Sequence, residues 1–378
     1  MGGRSCPPRI LDPVRLLLDP LSTLCLVPLL GSSIERPGCF RVRRPGALRV
    51  GPLAAALLLA AALAGCSESD RLGLYEAART LHLAPDGRLV VTDLGSGKDD
   101  GTVVAVDVAS GRRTVLMRGL PSTRGSGQSH ADLAGPSGAA VAADGTVCAA
   151  IGDAVKRNAG FATLRCSNGL AVDLKAFQAR SRLPSNPYDV VWDGGDGWYV
   201  SDGAANNVLH VDRAGRVAVV ARFPSLKATG LGDRDGQGVP TGLTLGPDRT
   251  LYVALYGGAP FDGPPAAVVS LAPDAATRPD QVKPKLLALV PHPIAVTLTP
   301  DGLGVVDYGG APGVRGRGEL RLVPSAGGGA AAGPGRLLAA GLDGPTGVAR
   351  LPDGRWAVAE SGHSRLKVLS GNQVGSAR

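Results

Sequence analysis

From residue 80 onward the chain repeats one pattern. A short apolar stretch with polar positions interleaved is followed by a turn rich in Gly and Asp. A second apolar stretch comes next, then a small or acidic residue. The pattern occurs at 80–97 (TLHLAPDGRLVVTDLGSG), 136–153, 186–212, 239–258, 292–310 and 344–369. Apolar alternation over about five residues marks half-buried strands. Asp-Gly at 86–87, 144–145, 301–302 and 353–354 offers the positive φ of a tight hairpin. At 194–197 Gly-Gly-Asp-Gly does so less tightly, and Asp248-Arg249 breaks the rule. Third strands follow, as in NNVLHVD and SRLKVL. One such sheet cannot bury both its faces, whereas sheets packed radially into a closed ring can. The pattern therefore predicts an all-β chain, a six-bladed β-propeller over residues 72–378. Its period is about 51 residues, with the excess in loops at 119–135, 224–239, 257–266 and 324–336. Two segments compete to close the ring, RLGLYEA before the first repeat and GNQVGSAR at the end.

The N-terminal pattern is different. RVRRPGALRV (41–50) is basic, GPLAAALLLAAALAG (51–65) is apolar or small, and Cys66 and the polar run SESD follow. A basic region, a short apolar core and small residues before the cut describe an export signal. An apolar run of about 14 residues is short for a membrane span of roughly 20. Leu63-Ala64-Gly65-Cys66 matches the lipobox of bacterial lipoproteins. The expectation is an N-terminal extension and signal peptide at 1–65, lipidation of Cys66, a linker at 66–71, and an exported protein anchored to the cell-envelope membrane by lipid. Six prolines between 7 and 37 set residues 1–40 apart from a signal peptide and point either to a later translation start, nearer Val42 or Val50, or to an extended n-region.

Charge changes the picture little once it is located. The net charge is +8, but residues 1–65 hold eight basic and three acidic residues, leaving +3 for the rest. The remaining Lys and Arg are dispersed, so nucleic acid is not an expected partner. Gly is 55, Pro 30 and aromatics only 4%, which suits turns and short strands. Cys6, Cys25 and Cys39 precede the cleavage site. Cys148 and Cys166 lie in strand-like stretches, and an oxidising compartment would permit a disulfide between them.

Two passages carry a resemblance. GVPTGLTLGPDRTLYVALYGGAPFDGPPAAVVSL and SNPYDVVWDGGDGWYVSDGAANNVLHVDRAGRV resemble units of the ScyD/ScyE family, NHL-like propellers, and PTGVARLPDGRWAVAESG fits that family's final blade. The resemblance covers residues 72–370 and implies an exported six-bladed propeller without an assigned chemistry. Val305-Val306-Asp307-Tyr308 in the fifth unit and the Ala-rich second unit depart from it.

In a propeller the start of each innermost strand shares a rim with the end of the next strand, because a hairpin joins them. That rim gathers Asp93, Asp153, Asp202, Tyr256, Asp307, Tyr308 and Glu360 with Asn186, Tyr188, Asp189, Asn206 and His292. The ligand-binding candidates are Asn186, Tyr188, Asp189, Asn206 and Tyr256. Amide, phenol and carboxylate converge there, and the rings offer flat faces to a sugar or aromatic ligand. The acids at strand ends read either as turn caps or as oxygen ligands. Asp189 stands where other units place Gly, so it either contacts a ligand or bonds a neighbouring blade. His292 lacks an evident acidic partner, and His130 completes neither a triad nor a metal site. The loop GLGDRDGQG (230–238) lacks the distal Glu of a calcium loop. No Gly-x-Ser-x-Gly elbow and no Glu-Gly-Pro unit occurs. No catalytic residue, metal site or cofactor is assigned. The expected function is a non-catalytic ligand-binding or protein-interaction scaffold for an unidentified small molecule or protein. The alternative is a calcium-dependent lactonase or esterase.

Overall fold

A computed structural model describes residues 72–125, 133–154, 159–225, 236–258, 266–272, 283–311, 317–325, 333–361, 363 and 366–370. Five antiparallel sheets of four strands and one of three are strung along the chain. Their innermost strands are Ala78–Leu83, Pro136–Val141, Pro187–Trp192, Pro240–Leu245, Pro293–Thr299 and Pro345–Arg350. Each packs against the innermost strand of the next sheet, and the last packs against the first. This is a closed six-bladed propeller. Closure brings Leu72 and Tyr75, from the segment ahead of the first repeat, into one apolar cluster with Leu351 and Leu366 of blade six. The rival closing segment, 371–378, lies outside the described residues. So do Cys66 with the rest of 1–71, His130, Asp233, Asp235 and the PFDG loop at 260–263.

The hairpins follow from local chemistry. Asp86, Asp144 and Asp353 each accept the backbone N–H two residues on, at 3.0, 2.9 and 3.0 Å. The glycines after them, Gly87, Gly145 and Gly354, take φ of 80°, 84° and 85°. In blade four Asp248 still accepts the Thr250 N–H at 3.1 Å, and Arg249 is forced to φ 65° in the glycine's place. Blade five departs from the expected turn. Gly302 pairs with Thr299 inside the ladder at φ 130°, and Thr299 Oγ1 donates to its carbonyl at 2.9 Å.

Two regions differ from the sequence expectation. Part of the 119–135 loop is ordered as strand. One strand runs on to Leu120, and Thr123–Arg124 pairs with Leu133–Ala134 in a small extra sheet. A short helix, Leu174–Ala179, follows blade two, with Asp173 capping it through the Ala176 N–H at 2.8 Å. Six residues are too few to carry an apolar repeat that a sequence scan registers.

The core is not central. Six apolar clusters fill the six seams between blades, for example Val208, Val220 and Phe223 of blade three against Leu243, Val253 and Val269 of blade four. Each blade thus buries both faces on its neighbours, which is what makes closure necessary. Within blade two, Cys148 and Cys166 face each other across adjacent strands, and their sulfurs are bonded.

Candidate functional site

Every innermost strand carries the same irregularity. Register slips near its start in all six blades, as between Pro187 and Asp189. A bulge re-aims the side chains beside it. Here it turns the second residue of the strand, Arg79, Tyr188, Thr241 and Ile294 among them, into one mouth of the central channel. Residues just beyond the second strands, Tyr256 and Tyr308, reach the same mouth, so starts and ends of neighbouring strands do share this rim. Together they enclose a cavity of about 440 Å³, within the range that holds a small molecule.

Three tyrosines make its wall. Tyr256 and Tyr308 meet edge to face, with centroids 6.1 Å apart. Tyr256 donates its hydroxyl to the Gly310 carbonyl at 2.6 Å, and burial raises its phenol pKa, with the neighbouring tyrosines and Asp307 adding to the shift. Tyr188 is 9% exposed, and its hydroxyl has no hydrogen-bond partner among the described residues. Burial raises its pKa too, against the pull of Arg79. The Arg79 guanidinium lies 4.9 Å from the Tyr188 ring centroid, a cation–π distance.

The acids at the strand ends are already engaged. Asp93 accepts the Glu76 and Ala77 N–H groups at 2.9 and 2.7 Å. Asp202 accepts the Asn186 N–H at 2.7 Å, the Ser185 hydroxyl at 2.6 Å and the Gln178 amide at 3.1 Å. Burial nevertheless pushes its carboxyl pKa up. Asp307 accepts the Gly309 N–H, and Glu360 the Asp343 N–H. Asp93, Asp202 and Glu360 thus pin the segment entering a blade to the end of its second strand, while Asp307 caps the turn that follows it. Blades two and four put Ile151 and Leu255 at the same register. Among the described residues no three His, Cys, Asp or Glu side chains are grouped as a metal site.

Asp189 sits deeper, in the channel wall. One carboxylate oxygen is 2.8 Å from His82 Nε2 of blade one, and the other accepts the Leu243 N–H of blade four at 2.9 Å. Its own N–H donates to Ser201 Oγ at 3.0 Å, and that hydroxyl donates to the Thr241 carbonyl of blade four at 2.6 Å. Gly138 of blade two abuts the same residue so closely that a Cβ there would lie 2.6 Å from Asp189 Cα. Four blades therefore meet at one carboxylate. Burial opposes protonation of His82, but the charge and hydrogen bond of Asp189 outweigh it, and the imidazole pKa is raised.

Of the five candidates, Asn186, Tyr188 and Tyr256 line the cavity, while Asp189 and Asn206 do not. Asn186 also accepts the Asp153 N–H of blade two at 2.8 Å. Asn206 holds a turn at φ 54°, and its carbonyl accepts the Phe223 N–H at 2.7 Å. Left-handed backbone is the setting in which Asn is favoured. His292, read from the sequence as lacking an acidic partner, has its Nδ1 3.9 Å from an Asp307 oxygen and tilts against the Tyr256 ring. Sequence reasoning missed Arg79 and His82. The available signal was register: Arg79 aligns with Tyr188 and Thr241, and His82 with Ala140, Val191 and Thr244.

No family model matches this chain, and neither does any curated protein. Solved structures similar to it include a gluconolactonase from Xanthomonas campestris, 16% identical with a TM-score of 0.48, over 78% of this chain and 86% of that one. A calcium-binding regucalcin from Agrobacterium tumefaciens is 14% identical with a TM-score of 0.47, over 80% of this chain and 92% of that one. A virginiamycin B lyase from Staphylococcus aureus is 11% identical with a TM-score of 0.44, over 78% and 94%. No residue role is carried from them to this chain.

Proposed function

We propose that this protein is a lipid-anchored, exported propeller that binds a small molecule at the channel mouth lined by Asn186, Tyr188 and Tyr256, without catalysing a reaction on it. One observation carries the binding reading: a cavity of about 440 Å³ with three tyrosines in its wall opens where the loops of several blades gather. The strand-end acids at 93, 202, 307 and 360 are already hydrogen-bonded, so binding through ring faces, neutral polar groups and Arg79 suits the site. Export and lipidation rest on the basic, apolar and Leu-Ala-Gly-Cys pattern that ends at Cys66.

The test is a ligand-observed magnetic resonance screen of aromatic and sugar fragments against the wild type and Ala204→Trp. Ala204 lines the mouth, so an indole there is placed to fill the cavity. Fragments that bind the wild type and are lost in the plugged variant support the reading. No bound fragments, or fragments indifferent to the plug, overturn it.

A calcium-dependent lactonase or esterase is the second reading. It draws on His292 and Asp307 beside the cavity, where burial raises the Asp307 carboxyl despite the Gly309 N–H and the nearby imidazole. Calcium would have to displace amide donors from the strand-end acids. Calcium-dependent hydrolysis of a lactone panel, lost in Asp307→Asn, would favour this reading over the first.

A further inference from the structure

We infer that the channel mouth selects a small organic anion, a carboxylate carried on a flat and largely apolar body, with Arg79 as its anion-recognising residue. This rests on the channel-mouth reading above and specifies its ligand. Arg79 is the one charged side chain among the described residues lining the cavity. Among those residues no carboxylate forms an ion pair with it, and its Nε is buried without a hydrogen-bond partner. A half-buried guanidinium that has lost water without gaining a carboxylate is costly. Such a charge is explained if its partner arrives from outside.

The surroundings suit that partner. Asp189, in the channel wall, is held by His82 and the Leu243 N–H, and no ion pair joins it to Arg79. The guanidinium lies over the Tyr188 ring, and a planar fork binds a carboxylate in two parallel hydrogen bonds. Arg79 is also held at its backbone. Its carbonyl accepts the Thr346 hydroxyl at 2.9 Å, and a Cβ on Gly347 would lie 2.6 Å from the same oxygen. The seam between blades six and one thus presents the side chain ready-placed. The Tyr188 hydroxyl beside it is buried without a hydrogen-bond partner among the described residues, and becomes a further donor where the arriving anion uncovers it. The Tyr256 and Tyr308 rings and Ile294 receive the apolar body.

The experiment uses matched pairs, benzoate and 4-hydroxybenzoate against benzamide and 4-hydroxybenzamide. They are titrated into the wild type, Arg79→Gln and Tyr188→Phe, with melting temperature followed in parallel. The acids should bind the wild type at least about tenfold more tightly than their amides. Arg79→Gln should erase that preference, and Tyr188→Phe should reduce it. Melting of unliganded Arg79→Gln should fall only slightly, because a cation–π contact but no ion pair is lost, whereas loss of a buried structural ion pair would lower it sharply. Amides that bind as well as acids, or a preference that survives Arg79→Gln, overturn the anion assignment and leave the mouth as a binding site. Absence of binding by both classes in all three proteins overturns the assignment together with the reading beneath it.

Discussion

His82 of blade one and Asp189 of blade three meet in the channel at 2.8 Å although 107 residues separate them. The pair ties blades that do not adjoin, and the same carboxylate holds a blade-four amide. Asp189→Ala should therefore cost about 1–3 kcal/mol, the penalty of stranding buried hydrogen-bond partners. Chemical denaturation checks this. The pair also sets a pH dependence. The folded His82 pKa lies above its ordinary 6.5, so folding favours the protonated ring. The stabilisation is complete below about 6.5 and is lost as pH rises through the raised folded value. His82→Gln should flatten that part of the stability curve, and an unchanged slope would contradict the pairing.

Gly138 tests the seam from the other side. Gly138→Ala places a methyl group against the Asp189 backbone. Overpacking of this kind costs about 1–3 kcal/mol. The substitution Gly145→Ala provides a contrast, since it meets only open space but must take φ 84°. It should cost about 1–2 kcal/mol, the price of a left-handed residue, without disturbing His82. Imidazole resonances recorded for both variants separate the two effects.

Cys148 and Cys166 are bonded across neighbouring strands, 18 residues apart. A cross-link closing a loop of that length stabilises by about 3 kcal/mol through the unfolded chain. Comparison of the urea midpoints of oxidised wild type and the Cys148→Ser, Cys166→Ser double variant measures it. Equal midpoints would contradict the expectation.

Lipidation at Cys66 is tested by mass spectrometry of the mature N-terminus, with acyl mass on Cys66 as the expected result. Cys66→Ala should move the protein from the membrane to the soluble fraction. A mature chain that starts elsewhere, or lacks acyl mass, contradicts the anchor.

Much of the fold was legible because its rules are local. An Asp followed by Gly specifies a hairpin by its own hydrogen bond and φ, and blade four shows the rule acting on Arg249 when the glycine is missing. The acids at 93, 202, 307 and 360 were legible as strand-end groups, and their capping partners lie in the same blade. Asp189 was marked by standing where blades two, four and six have Gly, though a ligand contact and a bond between blades both fitted it. Its partner was not legible, because nothing near His82 in sequence points to residue 189. Arg79 was hidden differently. As one of 40 basic residues it is unremarkable until closure of the ring leaves it in a cavity without a counter-charge. Both failures concern contacts made only when distant blades meet, which strand periodicity does not encode.

Binding of a small molecule at the mouth of the channel has an internal control in the six tyrosines. Tyr188, Tyr256 and Tyr308 line the cavity, whereas Tyr75, Tyr199 and Tyr252 do not. Fluorine resonances of protein labelled with 3-fluorotyrosine, assigned by single Tyr→Phe substitutions, are recorded while 4-hydroxybenzoate is added. Binding at the mouth should give saturable shifts at Tyr188, Tyr256 and Tyr308, with Tyr75, Tyr199 and Tyr252 unmoved. Shifts confined to the second group, or none at all, would contradict it.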